Sequence, residues 1–215
     1  DQAAAMMLKG CTVQYLLRRT YRVEPNETIL FHAAAGGCGL LACQWAKHLG
    51  ATVIGTVGTP EKAELAKAHG CDYSIVYTRE DFVERVKEIT NGAGVPVVYD
   101  SVGNDTFLGS LDCLQPRGLM VSFGNASGPV ESFSPGMLAA KGSLFLTRPS
   151  LATYIRTRAE LEATTGELFD VVAAGAVEVE VSQTFPLKSA EQAHRDLEGR
   201  RTIGSTVLLA EDGEN

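Results

Sequence analysis

The sequence predicts an α/β protein in which helices cover both faces of a parallel, doubly wound sheet of six strands. Two observations support this prediction. Short apolar segments alternate with helix-like segments over most of the first 150 residues, a rhythm typical of βαβ units. The apolar segments also form nearly continuous hydrophobic runs, as expected for strands that are covered on both faces.

The predicted strands are bounded by small or turn-forming residues and contain almost no charge. Their sequences are TILFHA from Thr28, TVIGTV from Thr52, YSIVY from Tyr73, VPVVYD from Val95, LMVSFG from Leu119 and SLFLT from Ser143. The segment QPRG before the fifth strand is predicted to be a turn. A helical lead-in occupies residues 1–22, and Gly10 is expected to break it.

The rhythm changes after Pro149, where we expect a different kind of unit. A long helix is predicted from Thr157 to Ala174, then a strand from Val177 to Phe185, a helix capped by Ser189 and a last strand from Ile203 to Leu209. The sequence therefore divides into residues 1–22, a sheet domain over 23–149 and a C-terminal segment over 150–215.

Composition excludes several classes of function. The net charge is −7, which disfavours a nucleic-acid-binding surface. The cysteines are odd in number and none forms a Cys-x-x-Cys pair, so we expect neither a disulfide framework nor a metal site, and we expect the reducing environment of the cytoplasm. No apolar run approaches the length of a membrane span. Because the first residue is Asp1 rather than Met, we expect the chain to begin within a longer protein.

A glycine-rich segment, HAAAGGCG, joins the first strand to the following helix. A pyrophosphate group needs free backbone N–H groups, a close approach to the backbone and a helix N-terminus. Gly36 and Gly39 occupy two positions of the dinucleotide fingerprint, whereas Ala34 replaces its first glycine. In this context the segment predicts a Rossmann-type loop for a dinucleotide; the alternative is a purely structural turn.

The end of the second strand favours NADP(H) over NAD(H). An NAD-binding unit places an acidic residue there, on the ribose hydroxyls, but the segment near Thr56 contains no carboxylate before Glu61. Lys62 could then pair with a 2′-phosphate, with help from Tyr77 and Arg79. The alternative for Lys62 is a solvated lysine on a helix surface.

Two later strand ends point to the same crevice. Asp100 ends the fourth strand and could act as a general base or, more commonly for such a residue, as a helix cap or loop anchor. Ser122 and Asn125 follow the fifth strand and could bond a cofactor or serve only as turn residues.

Several motifs together resemble a known family. The segments HAAAGGCGLLACQWAKHLGATVIGTVGTPEKA, VVYDSVGNDTF and GSLFLTRPSL are similar to the zinc-independent, zeta-crystallin-like NADPH:quinone oxidoreductases of the medium-chain dehydrogenase/reductase superfamily. The resemblance implies hydride transfer from NADPH to a quinone. It also implies that an N-terminal, GroES-like catalytic domain is absent from this chain and that residues 150–215 complete that domain.

The resemblance also implies which residues contact the cofactor, although it assigns no catalytic residue. The pyrophosphate would lie on Ala35, Gly36, Gly37 and Cys38, and the adenosine phosphate near Gly58, Lys62 and Tyr77. The nicotinamide half would be lined by Ser101, Phe123, Gly124 and Asn125, its ring flanked by Phe145, Leu146 and Thr147, with Arg200 reaching the cofactor from the C-terminal segment.

Cys38 departs from the family's usual valine. It either fills the valine's space as a small apolar residue or carries a thiolate favoured by the helix N-terminus. In the second case NADPH would protect it from alkylation.

Two other functions remain open. One is an NADPH-dependent reductase of enones or alkenals with the same fold, and the other is a cofactor-binding module without turnover. The short-chain dehydrogenase pattern Tyr-x-x-x-Lys fails, because Tyr154 is followed by Arg158. The sixth strand, Ser143–Thr147, would be an apolar sheet edge, so we expect a homodimer that pairs this strand across a two-fold axis.

Overall fold

A computed structural model describes residues 1–199 and 201–210 of the chain. Its main feature is a six-stranded parallel sheet with the strand order β3-β2-β1-β4-β5-β6, which confirms the predicted fold class. The strands are β1 (Thr28–Phe31), β2 (Thr52–Val57), β3 (Tyr73–Val76), β4 (Val95–Asp100), β5 (Leu114–Ser122) and β6 (Phe145–Thr147). Because the strand order reverses between β1 and β4, a crevice opens at the carboxyl ends of these strands.

Helices cover both faces of the sheet. They are α1 (Gln2–Tyr15), α2 (Gly37–His48), α3 (Pro60–Ala68), α4 (Phe82–Ile89), α5 (Phe107–Asp112), α6 (Gly136–Ala140), α7 (Leu151–Tyr154), α8 (Arg158–Ala173) and α9 (Ala190–Glu198). Of the described helices, none is long and apolar enough to cross a membrane.

The alternation of side chains along β1 divides the core into two layers. Ile29 and Phe31 belong to the hydrophobic cluster that includes α1 and α2, and Trp45 is among the largest fully buried side chains there. Leu30 points to the opposite face and packs in the cluster that contains Val86 of α4. Burial on both faces therefore explains why the strands contain so few charged residues.

Gly10 does not break the first helix, contrary to expectation. Helix α1 runs unbroken from Gln2 to Tyr15 and continues as a π-helical turn over Leu16–Thr20. A Cβ atom at Gly10 would lie 2.5 Å from Cδ1 of Leu168 in α8. The glycine is therefore needed for the close approach of α1 and α8, a contact between residues far apart in sequence.

The segment QPRG interrupts strand β5 and is not a turn that precedes it, so only the predicted start of this strand was wrong. Strand β5 begins at Leu114 and pairs with Val95 of β4, and the register shifts between Val95 and Val97. Arg117 adopts a positive φ of 62°, within the irregular part of the strand. Since Val95 pairs with Leu114 and Val97 with Leu119, residues 115–118 bulge out of the ladder between β4 and β5.

The C-terminal segment forms a second, two-stranded sheet. Strands β7 (Val181–Pro186) and β8 (Ser205–Leu209) pair in parallel, with α9 between them in sequence. The observed β7 starts at Val181 rather than Val177, because Val177 is instead buried in the core of the main sheet. The division into three sequence regions stays a prediction.

The N-termini of α8 and α9 differ in their capping. Thr157 starts α8 in a capping box with Glu160, in which each side chain accepts a hydrogen bond from the other residue's backbone N–H. Ser189 precedes α9 as predicted, but its hydroxyl makes no capping hydrogen bond.

Candidate functional site

The glycine-rich loop makes a tight turn between β1 and α2. The backbone N–H of Gly36 donates to the carbonyl of Ala33 at 2.9 Å, and Ala33 carries the positive φ of 56° that the turn requires. Gly36 is the N-cap of α2, and no side chain makes a capping hydrogen bond there. The first N–H groups of α2 therefore have neither an intrahelical partner nor a side-chain cap, as an anion site requires.

The three consecutive loop residues Ala35, Gly36 and Gly37 differ in their surroundings. Gly36 and Ala35 line the crevice at the carboxyl ends of the strands. A Cβ atom at Gly37 would instead lie 2.7 Å from Cδ of Lys9 and 2.9 Å from the carbonyl oxygen of Gly204. A side chain at Gly37 would thus collide with Lys9 of α1 and with the backbone of Gly204 near the C-terminus.

Gly39 holds α2 against the loop. A Cβ atom at this position would lie 2.3 Å from the carbonyl oxygen of Ala33 and 2.5 Å from that of Ala34. No residue other than glycine fits so close to the backbone without moving it. Gly39, which the fingerprint assigns to close packing of the helix on the strand, therefore lies where any larger side chain would collide with the backbone.

The surroundings of Cys38 favour the thiol over the thiolate. Burial raises the pKa of the Cys38 thiol to about 11, and the positive charge of Lys9 offsets only part of this effect. A thiol with this pKa is protonated at neutral pH, which supports the interpretation of a small apolar residue in the place of valine, and protection of Cys38 by NADPH stays a prediction.

A cavity of about 510 Å³ lies at the carboxyl ends of the strands, and we call it the carboxyl-end cavity. Its volume lies within the range of small-molecule sites. Five of the residues that the sequence analysis assigned to cofactor binding line this cavity. The complete lining is Ala33, Ala35, Gly36, Val57, Gly58, Thr59, Lys62, Tyr77, Thr78, Val102, Ala126, Leu197 and Thr202. None of these side chains is acidic.

One end of the carboxyl-end cavity is built by β2, β3 and the start of α3. Thr59 caps α3 by accepting a hydrogen bond from the Lys62 N–H at 3.3 Å, and Thr78 donates to the carbonyl of Gly58 at 2.9 Å. The Tyr77 hydroxyl packs so closely over Gly58 that a Cβ there would lie 3.1 Å from it. Lys62 and Tyr77 are thus brought to the same end, as the sequence predicted.

Asp100 is a loop anchor at the end of β4. Its carboxylate is fully buried. Oδ1 accepts hydrogen bonds from the N–H groups of Val102 and Gly103 at 2.7 and 3.0 Å. Oδ2 accepts from the hydroxyls of Thr106 and Ser110 at 2.7 and 3.0 Å. With both oxygens engaged and no exposure, Asp100 is placed to shape the loop after β4 rather than to take a proton from a ligand.

The residues assigned to the nicotinamide half lie beside the cavity and do not line it. A Cβ atom at Gly124 would lie 2.4 Å from the carbonyl oxygen of Ser101, so the loops after β4 and β5 cross backbone to backbone. Val102 and Ala126 project into the cavity instead of their neighbours Ser101 and Asn125. The Phe123 ring packs 5.7 Å from that of Phe31.

Strand β6 is the edge of the sheet, away from the carboxyl-end cavity. Phe145 is 61% exposed, whereas Leu146 and Thr147 are half-buried. Within the described part of the chain, β6 pairs only with β5. Arg200 lies outside the described residues, although Leu197 and Thr202 on either side of it line the cavity.

Sequence reasoning missed the polar residues behind the cavity. His32 is fully buried and its ring lies within hydrogen-bond distance of the Thr56 and Ser110 hydroxyls, at 2.8 and 2.9 Å. Burial lowers the pKa of His32, and the charge of Asp100 only partly opposes this effect. A histidine inside an otherwise apolar strand is the one sequence signal that could have indicated this network. Among residues 1–199 and 201–210, no three His, Cys, Asp or Glu side chains are grouped as metal ligands.

Comparisons with known proteins identify the family. Residues 37–165 match the family model described as zinc-binding dehydrogenase. The chain is 57% identical over 209 residues to a quinone oxidoreductase of Pseudomonas aeruginosa, which covers 97% of this chain and 64% of that protein. It is 52% identical to a 2-haloacrylate reductase of a Burkholderia species, which covers 96% of this chain and 62% of that protein.

A solved structure agrees with these sequence comparisons. The quinone oxidoreductase of Escherichia coli in complex with NADPH superposes with a TM-score of 0.95 at 58% identity, covering 97% of this chain and 65% of that one. The chain thus spans slightly less than two thirds of the length of these relatives. The resemblance seen in the sequence motifs is confirmed: the chain belongs to the zinc-binding dehydrogenase family and groups with its quinone oxidoreductases.

Proposed function

We propose that this chain binds NADPH and serves as the cofactor-binding part of an NADPH-dependent quinone oxidoreductase. The observation that carries the proposal is the carboxyl-end cavity, bounded by a glycine-rich helix N-terminus at one side and by Lys62 and Tyr77 at one end. The E. coli relative of known structure is a complex with NADPH, and the curated relatives include quinone oxidoreductases.

The residues of the cavity fit a dinucleotide phosphate. Gly36 has no side chain to obstruct a pyrophosphate, and the uncapped N-terminus of α2 offers N–H groups and a favourable dipole. The absence of acidic side chains from the lining removes repulsion against a 2′-phosphate, and the Lys62 ammonium supplies the opposite charge. The other assigned contacts, from Ser101 to Thr147 and at Arg200, extend this proposal beyond the cavity walls.

Bound NADPH supplies a hydride from C4 of its nicotinamide ring. The task left to the protein is to hold the ring and the acceptor in a reactive orientation, which contributes much of the rate when the acceptor is an electrophile such as a quinone. In this chain the loops after β4 and β5, which carry Val102 and Ala126, would form one wall of the cofactor site. No side chain of the cavity is assigned as a proton donor.

A second candidate function is reduction of a conjugated carbon–carbon double bond. The 52% identical relative named 2-haloacrylate reductase favours it. Parallel assays with a quinone and with a haloacrylate or enone distinguish the two reactions, because only the acceptor differs. Since the relatives are longer than this chain, a cofactor-binding module without turnover is the third outcome of the same assay.

Calorimetric titration with NADPH and NADH tests the proposed cofactor. We expect tighter binding of NADPH, and in Lys62→Ala a loss of affinity for NADPH of roughly ten- to a hundredfold, with NADH affected little, because a hydrogen bond to a charged group is lost. Lys67→Ala is the matched control, since Lys67 lies on the same helix and pairs with Glu64 at 2.9 Å. Equal binding of the two cofactors would overturn the charge argument, and no binding of either would overturn the proposed function.

Assembly, location and metal independence are further parts of the proposal. We propose a homodimer in which two copies pair β6, because this edge strand carries the exposed Phe145. The five cysteines are all unpaired, which accords with a cytoplasmic location. Zinc independence is proposed from the family resemblance, and quinone reduction that persists after chelator treatment would support it.

A further inference from the structure

A large apolar side chain, Leu197, lies at the carboxyl-end cavity instead of being buried in the core. It belongs to α9, whose buried residue is Ala193. Leu197 is 58% exposed and lines the cavity, as does Thr202 after the helix. A single exposed leucine needs no explanation on an open surface, but at a concave site it offers apolar contact to a ligand. We call Leu197 and Thr202 the C-terminal wall of the cavity.

The C-terminal wall is anchored on both sides. Arg201 donates from Nε and Nη2 to Oδ1 of Asp196 at 2.9 and 2.6 Å, and its backbone N–H donates to the carbonyl of Asp196 at 2.9 Å. These bonds fold the chain back onto the end of α9, next to Leu197. On the other side, the N–H of Gly204 donates to the carbonyl of Ala35 in the glycine-rich loop at 3.1 Å. The wall is therefore in place before any ligand arrives.

The other residues of the cavity indicate which half of a dinucleotide would contact Leu197. Gly58, Lys62 and Tyr77, which the sequence assigned to the adenosine phosphate, line the same cavity as Leu197. The residues assigned to the nicotinamide half lie beside the cavity and do not line it. A ligand that occupies this space with its phosphate at Lys62 would therefore present its adenosine to the C-terminal wall.

The chemistry of the lining fits the base of an adenosine. Val57, Val102 and Ala126 line the cavity together with Leu197. The flat faces of a purine are apolar and gain from contact with aliphatic side chains, whereas phosphates need the Lys62 ammonium and the N–H groups of the helix. Contact with Leu197 would thus add affinity that does not depend on the 2′-phosphate.

We infer that Leu197 is a contact residue for the adenosine half of the cofactor, and that the C-terminal wall closes the site on that side. The inference rests on the proposed binding of NADPH in this cavity. It predicts different roles for Leu197 and Lys62. Lys62 matters to ligands that carry a 2′-phosphate, whereas Leu197 matters to every ligand that contains adenosine.

The first test is calorimetric titration of Leu197→Ala with NADPH, NADH and adenosine 2′,5′-bisphosphate. We expect the Kd of all three to rise by a similar factor, about five- to tenfold, because apolar contact with the adenosine is lost. Leu187→Ala is the matched control, since Leu187 is 55% exposed in the same segment and does not line the cavity. It should leave all three constants within about twofold of wild type.

A conservative variant separates apolar contact from damage to the fold. Leu197→Met keeps an apolar side chain of similar volume and should restore affinity to within about twofold of wild type. Because the side chain at this position is exposed, neither Leu197→Ala nor Leu197→Met should change the melting temperature measurably.

The second test observes the contact directly. In protein with labelled leucine methyl groups, the bisphosphate should give nuclear Overhauser effects between its adenine or ribose protons and the methyl groups of Leu197. The Leu197→Met spectrum identifies the Leu197 signals. The methyl groups of Leu187 should show no such effect, because this residue is not part of the cavity lining.

The outcomes separate this inference from the proposed function. If the wild type binds neither NADPH nor the bisphosphate, the proposed function fails and the inference fails with it. If the wild type binds both, and Leu197→Ala binds them equally well, the role of Leu197 alone is refuted. A loss for NADPH with the bisphosphate unaffected would also refute it, because Leu197 would then contact the other half of the cofactor. A loss that spares NADH contradicts it as well.

Discussion

Gly39→Ala is the sharpest test of how the glycine-rich loop is built. The added Cβ would lie 2.3 Å from the carbonyl oxygen of Ala33, and ordinary contact begins near 3.4 Å. The loop or the helix must therefore move by about 1 Å, because the atoms in the way belong to the backbone and no side-chain rotation removes them. The same loop provides the Ala35–Gly36 wall of the carboxyl-end cavity.

Two opposing terms set the magnitude. Overpacking costs about 1–3 kcal/mol, and replacing a helical glycine by alanine returns about 1 kcal/mol. Since rigid backbone is displaced, we take the upper end of the first range and expect a net loss of about 2 kcal/mol. For a chain of this size that corresponds to a fall in Tm of about 4–8 °C.

Gly166→Ala is the matched control. Gly166 lies within α8, and a Cβ atom there has no neighbour within 4 Å. The same substitution should then stabilise the protein by about 0.5–1 kcal/mol, through helix propensity alone. Thermal unfolding followed by circular dichroism measures both variants, and calorimetry should show at least a tenfold weaker binding of NADPH to Gly39→Ala alone. If Gly39→Ala melts at or above the wild-type temperature, or binds NADPH normally, the packing argument is wrong.

The remaining predictions concern the cysteine, the sheet edge and alkaline pH. The pKa of Cys38 is about 11, so alkylation of this thiol by iodoacetamide in the native protein should be slow at pH 8 and should accelerate up to pH 11. Peptide mass mapping measures the rate. Rapid labelling of Cys38 at pH 7 would contradict the raised pKa. Phe145→Asp should convert the proposed dimer to a monomer, as measured by light scattering. Leu108→Asp, at an exposed position of α5, is the control and should leave the dimer intact. A wild-type protein that is monomeric at micromolar concentration would exclude this interface. Burial raises the pKa of Cys38 from 9.0 to about 11 and that of Tyr15 from 10.0 to about 12, so the native state keeps protons that the unfolded chain releases. Stability should therefore fall as pH rises from 9 to 12, and urea unfolding at pH 8 and pH 10.5 that gives equal stability would refute this.

Much of the fold could be predicted because its signals are local. A strand such as β1, buried on both faces, must be continuously apolar, and the glycine, proline and threonine residues at helix ends act on their own neighbours. Gly10 and the start of β5 were interpreted wrongly for the opposite reason. The role of Gly10 depends on Leu168, more than 150 residues later, and the start of β5 depends on the pairing of Leu114 with Val95 of β4.

In the candidate site too, the features with local sequence signals were predicted and those that depend on distant residues were not. The glycine-rich loop, Lys62 and Tyr77 belong to local motifs, and they meet at the cavity as expected. The walls formed by Leu197 and Thr202 could not be read from any motif, because they arrive through the path of the C-terminal segment. The hydrogen-bond network around His32 was missed as well, because Thr56 and Ser110, the partners of the His32 ring, lie on elements that only the order of the strands brings together.

The contact between the C-terminal segment and the glycine-rich loop has a thermodynamic consequence. The N–H of Gly204 donates to the carbonyl of Ala35 at 3.1 Å, next to residues that line the cavity. A ligand that fills the cavity touches both sides of this junction, so its binding energy adds to the free energy that holds the end of the chain in place. Linkage makes the relation reciprocal: any change that weakens the docking of the last strand also lowers affinity for the ligand. Cofactor concentration would thereby affect how tightly the C-terminal segment is held against the glycine-rich loop.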